Sequence, residues 1–114
     1  MIVEQRTYTL QPGALPRFLA AYEQYGLPAH QAVYERLVGY YVSETGTLNQ
    51  IVQLWSFDSF EDRSQRRERL QQDPRWKQYM EQVAGLVVQQ ESRLLKPMPW
   101  SPAVGTLIAP VAAA

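Results

Sequence analysis

Arginines, carboxylates, aromatic rings and amides recur in this chain at the spacing of β-strands, and together they could hold a small organic ligand. Glu4, Arg6 and Tyr8 alternate in an opening segment, Asn49, Gln53 and Trp55 share one parity in a central one, and Glu91 and Arg93 do so in a late one. Successive strand side chains point to opposite faces, so each set projects to one side, and all eight can be placed on a single sheet face. Arg6 or Arg93 could grip a carboxylate or carbonyl with a two-pronged guanidinium contact, while Tyr8, Tyr40, Gln53 and Trp55 orient the ligand by hydrogen bonding and stacking. The same residues allow a second arrangement. Glu4, Glu91, Arg6 and Arg93 would then neutralise one another in a subunit interface, setting register and binding nothing.

His30 is the one histidine, hence the one side chain whose ordinary pKa lies near neutrality. It follows Gly26-Leu27-Pro28, where a helix break could aim it inward as a general base or an axial haem ligand; the plainer alternative is a partly exposed helix histidine. With one histidine and no cysteine, a classical zinc site lacks its ligands, so no metal is expected. No nucleophile-elbow motif accompanies the serines. Arg63, Arg66, Arg67 and Arg69, interleaved with Glu61, Asp62 and Glu68, could form an anion-binding patch, but mixed signs at i, i+4 spacing describe a solvated helix face equally well. Formal charge is zero and the pI is 6.6, and the aromatic motif of RNA-binding sheets is missing, which argues against a nucleic-acid partner.

The elements that would position these residues can be read in order. Ile2 to Leu10 is a strand, and Gln11-Pro12-Gly13 a turn. Leu15, Phe18, Leu19 and Tyr22 then form the apolar stripe of a helix stopped by Gly26 and Pro28. A short helical piece from Ala29 to Arg36 leads to a strand from Leu37 to Glu44, in which Val38, Tyr40 and Val42 oppose Leu37, Gly39, Tyr41 and Ser43. A Gly46 loop joins it to the strand of Ile51, Val52, Leu54, Trp55 and Phe57 as a hairpin. Ser59, with Asp62 three residues on, caps a helix reaching about Gln72, and Asp73-Pro74 restarts one in which Trp76, Tyr79, Met80 and Val83 read as core. After Gly85, Leu86 to Lys96 is the last strand.

Strand, helix, strand, strand, helix, strand is the ferredoxin-like βαββαβ order of an α+β domain, with helices on one sheet face. The other face is expected to carry large apolar groups such as Trp55 and to be covered by a second copy of the chain, making a homodimer. Residues 1–97 form the domain. Residues 98–114, rich in proline and alanine, read as an extended or disordered tail. No leader or membrane-spanning stretch is evident and cysteine is absent, so a cytoplasmic protein without a membrane partner is expected.

Four separated pieces of this sequence resemble the NIPSNAP family: VEQRTYTLQPGALPRF, LVGYYVSETGTLNQIVQLWSF, SFEDRSQRR followed by DPRW, and QESRLLKP. They occur in order and cover residues 3–97. The resemblance implies a dimeric α+β barrel, two ferredoxin-like sheets facing each other with a cavity in each half, and no reaction is established for the family as a whole. Members often have a histidine before the Leu-Trp of the central strand, where this chain has Gln53. The function expected is therefore binding of a small, partly aromatic or apolar ligand, at Arg6, Tyr8, His30, Tyr40, Asn49, Gln53, Trp55, Glu91 and Arg93. The alternative, from the architecture alone, is a cofactor-independent or haem-dependent monooxygenase-like enzyme, for which Asn49, Trp55 and His30 are suitable residue types. The cofactor is left open.

Overall fold

A computed structural model describes residues 1–102 and the strand pair Thr106–Leu107. Its elements are β1 (Ile2–Leu10), α1 (Leu15–Ala21), a π-helical turn (Tyr22–Gly26), α2 (Leu27–Val33), β2 (Arg36–Val42), β3 (Gln50–Phe57), α3 (Phe60–Gln72), α4 (Pro74–Gln82), β4 (Val87–Leu95) and β5 (Thr106–Leu107). The strands make one antiparallel sheet in the order β4-β1-β3-β2-β5. Without β5 this is the ferredoxin-like α+β arrangement. Of the segment read as a tail, Met98 to Ser101 turns back on itself, the Ser101 N–H donating to the Met98 carbonyl at 2.9 Å, and Thr106–Leu107 extends the sheet beside β2. Residues 103–105 and 108–114 lie outside the described residues.

The two helix starts in the second half form as the sequence predicts. Ser59 Oγ accepts from the Asp62 N–H at 3.0 Å while Asp62 Oδ2 accepts from the Asp58 N–H at 2.9 Å, so donors left over at the α3 start are satisfied from both sides. Asp73 Oδ1 takes the Arg75 N–H at 2.8 Å and Pro74 opens α4, where its missing N–H costs nothing.

The first helix does not stop at Gly26, contrary to the expectation. Helix continues from Leu15 to Val33 through a π turn, in which the Leu27 N–H donates to the Tyr22 carbonyl. Pro28 has no N–H and its ring would collide with the carbonyl four residues back, and the widened turn absorbs that conflict without ending the helix. Gly26 keeps right-handed angles, and its role is closeness: a Cβ there would sit 2.7 Å from Tyr22 Cδ1 and 3.1 Å from Tyr79 Cδ1.

Register settles which faces the strands present. Across β1, Glu4 pairs with Trp55 and Leu94, Arg6 with Gln53 and Ser92, and Tyr8 with Ile51 and Gln90. Residues directly opposite share a face. That face is the helix-covered one: Leu10, Phe18, Tyr34, Ile51, Trp55, Phe57 and Leu70 form the core there, and burying each large side chain contributes about 1.5–3 kcal/mol. Trp55 is therefore wholly buried within one chain, which corrects its expected place on the uncovered face. An irregularity between Leu37 and Gly39 also shifts the parity of β2. Leu37 opposes Trp55 and Tyr40 opposes Gln53, so Leu37 joins Tyr40 and Val42 against the core, leaving Val38 with Leu54 and Val3 on the far face.

Candidate functional site

A cleft opens between the sheet and α4 in two adjoining chambers. One, about 210 Å³, is walled by Arg6, His30, Tyr34, Arg67 and Gln71; the other, about 180 Å³, by Phe18, Tyr79, Val83 and Val87. Tyr8, Trp76, Met80 and Gln90 line both. Met80 is half exposed, because it stands at the shared rim and not in the core where its helical spacing placed it. The first chamber is the more polar of the two.

Beneath the polar chamber lies a buried carboxylate. Glu4 is fully enclosed; its Oε2 accepts from Arg6 Nη1 at 3.0 Å, Arg63 Nη2 at 2.8 Å and Ser92 Oγ at 2.6 Å, and its Oε1 from Arg63 Nε at 3.1 Å. Burial alone pushes its pKa up, but the hydrogen bonds from Arg63 and Ser92 and the charges of Arg6 and Arg63 outweigh it and hold the group at about 2. Arg6 also donates from Nε to Tyr8 Oη at 2.9 Å. Glu4 and Arg6 thus do pair, within one chain and through Arg63, which the sequence shows only as one charge on a mixed-sign helix. Arg66 is likewise engaged, donating to the Val33 carbonyl at 2.7 Å and to Asp62 at 2.8 Å, and so caps the end of α2 from α3.

His30 is buried, not partly exposed as the plainer reading has it. Its ring stacks on Tyr34 at 4.8 Å and meets Trp55 at 4.5 Å and Trp76 at 4.7 Å, and its Nδ1 is hydrogen-bonded to Tyr22 Oη at 2.8 Å. Burial, with the nearby Arg6 charge, depresses its pKa to about 3, so the imidazole is neutral at physiological pH. Burial raises the pKa of Tyr22, Tyr34, Tyr40 and Tyr79, keeping these phenols protonated. Tyr40 stacks on Tyr22 at 4.8 Å, and its buried hydroxyl has no partner among the described residues.

Six of the nine residues singled out from the sequence lie on the helix-covered side of the sheet, five on strands and His30 on α2: Arg6, Tyr8, His30, Tyr40, Gln53 and Trp55. Arg6, Tyr8 and His30 reach the polar chamber, whereas Gln53 and Trp55 bond to each other, Trp55 Nε1 donating to Gln53 Oε1 at 2.7 Å. Asn49 is not on the strand face. It precedes β3 with a left-handed φ of 62°, a conformation asparagine tolerates, and its carbonyl accepts from the Leu10 N–H. Glu91 and Arg93 are corrected too: β4 pairs with β1 so that Gln90 and Ser92 share the face of Tyr8 and Arg6, leaving Glu91 and Arg93 on the opposite face, exposed and ion-paired to each other. Gln71 and Gln90 line the site without having been flagged, and Arg67 and Trp76 had been read only as part of a charged helix surface and as core, since parity within a strand says nothing of the helix laid across it. Among the described residues no cluster of His, Cys, Asp or Glu forms a metal site.

A family model for NIPSNAP proteins matches residues 3–102. The chain belongs to the NIPSNAP family. It is 32% identical over 100 residues to Protein NipSnap homolog 3A of Homo sapiens, covering 85% of this chain and 39% of that protein, so it spans about two-fifths of the length of that curated relative. Among solved structures, an uncharacterised NIPSNAP-like domain protein from Burkholderia xenovorans superposes with a TM-score of 0.88 at 36% identity, covering 96% of this chain and 95% of the other. A NIPSNAP family protein with unknown function from Agrobacterium tumefaciens gives 0.85 at 40% identity, covering 90% and 92%. An antibiotic biosynthesis monooxygenase shares the fold alone, with a TM-score of 0.61 at 11% identity over 87% of this chain and 100% of the other. Among the described residues of this NIPSNAP domain no helix is long and apolar enough to cross a membrane.

Proposed function

We propose that this NIPSNAP domain binds a small, partly aromatic or apolar molecule in the cleft between sheet and helices, and that it works in the cytoplasm as a homodimer. The observation that carries the binding reading is the cleft itself, two adjoining chambers of about 180 and 210 Å³ with aromatic walls and convergent polar groups at one end. The dimer reading rests on the far sheet face, where Val38, Leu54 and Leu95 form an apolar groove that is also lined by the segment through Trp100 and Pro102. A cysteine-free chain suits a reducing compartment.

The haem version of the monooxygenase alternative does not fit the residues. An axial imidazole needs clear space around its free nitrogen, and the His30 ring is hemmed in by Tyr34, Trp55 and Trp76 at 4.5–4.8 Å. Native mass spectrometry of freshly purified protein tests the proposal: a dimer carrying a defined non-covalent adduct is expected, and Met80→Trp, which fills the shared rim of the chambers, should lose the adduct and keep the dimer. An adduct unaffected by that change would remove the cleft as the binding site, and a monomer at micromolar concentration would remove the dimer.

A further inference from the structure

The polar chamber holds more positive charge than its surroundings neutralise. Arg6 and Arg67 line it and no carboxylate does. Glu4, two residues before Arg6 on the same face of β1, is already shared between Arg6 and Arg63, so that cluster contains two cations for one anion. Of the five N–H donors of Arg6, two are engaged, by Glu4 and Tyr8, leaving three with no acceptor among the described residues. Arg67 is half-buried and has neither hydrogen bond nor ion pair among them, unlike Arg63 and Arg66 on the same helix, each held by a carboxylate. Charge of one sign concentrated in a low-dielectric recess attracts an anion, and a guanidinium with a free fork matches the two oxygens of an oxyanion. Tyr34 stands on the same wall, its phenol kept protonated by burial and so able to donate. The neighbouring chamber, walled by Phe18, Tyr79, Val83 and Val87, has no cation and suits a flat apolar body.

The geometry points to an amphipathic organic anion as the ligand class: a carboxylate held by Arg67 beside Arg6 in the polar chamber, on an aromatic or apolar body in the other. This rests on the cleft being the binding site and names what it selects. A suitable probe pair is 2-naphthoate and its methyl ester, which share the ring system and differ in charge. By fluorescence titration the acid should bind roughly tenfold more tightly than the ester, as a charge-assisted hydrogen bond implies, and should weaken as salt is raised. Arg67→Gln should cut that preference several-fold, weakening the acid more than the ester, while Arg67→Lys, which keeps the charge and loses the fork, should retain more of it. Equal binding of both probes, or a preference for the acid undiminished by Arg67→Gln, would overturn the assignment of the anion to Arg67 while the cleft stands. If neither probe binds at millimolar concentration, both the anion assignment and the cleft reading fall.

Discussion

Replacing Glu4 by glutamine isolates the ionic cluster under the cleft. The carboxylate is wholly buried, and its pKa lies at about 2 against 4.5 for the free group. At roughly 1.4 kcal/mol per pKa unit that difference corresponds to about 3 kcal/mol of folding stability. Because the folded-state value is the lower one, the contribution is present above pH 4.5 and lost as pH falls through 2; the same linkage leaves less than half of it at pH 3. Glu4→Gln keeps the shape, deletes the charge and leaves Arg6 and Arg63 facing each other without their shared anion, a change of the kind that costs about 3–5 kcal/mol. Urea unfolding of both proteins at pH 7, 5 and 3, at one protein concentration so that any association cancels, measures the gap between them. The gap should be about 3 kcal/mol at pH 7, nearly the same at pH 5 and less than half that at pH 3. His30 is neutral in both folded proteins at pH 7 and 5 and drops out of the difference there; the Glu4 charge, which raises its pKa, couples to it only near pH 3. A gap that does not change with pH, or one below about 1 kcal/mol at pH 7, would refute the claim that this carboxylate is held ionised by Arg63, Ser92 and Arg6.

His30 itself gives a second test. Its folded pKa of about 3 lies below the 6.5 of the free side chain, so the unfolded chain takes up the proton first and His30 lowers stability as pH falls from 6.5 towards 3. In the folded protein its imidazole resonances should not move between pH 8 and 5, and a titration midpoint near 6.5 would show that the ring is not enclosed. Gly26→Ala should destabilise by about 1–3 kcal/mol in thermal unfolding, although alanine is the better helix former, because the added methyl meets the Tyr22 ring at 2.7 Å. A stabilised variant would mean that the Tyr22 and Tyr79 rings yield freely.

Much of the fold could be read residue by residue. Ser59 with Asp62, and Asp73 with Pro74, are local signals whose partners lie within a few positions, and both helices begin where those signals place them. The Glu4, Arg6 and Tyr8 alternation and that of Gln53 and Trp55 were equally plain, and those five side chains do share a face. Arg67 is a different case: among four arginines on one helix nothing local separates the two that grip carboxylates from the one left to face a cavity.

Local rules therefore determined the starts of α3 and α4, the parities of β1 and β3 and the ferredoxin-like order of elements, since each depends on dihedral preferences and side chains a few residues apart. Which sheet face the helices cover, how β4 registers on β1, and what the π turn does to the path of α1 into α2 were decided only by tertiary structure. Glu91 and Arg93 fell on the far side for that reason: a shift of one residue in pairing moves every side chain of a strand to the other face, and the pairing is chosen by the whole core. The cleft belongs to the same class of fact. Arg6 comes from the first strand, His30 from the second helix, Arg67 and Trp76 from the third and fourth, and Gln90 from the last strand; only the packing of helix on sheet makes them neighbours.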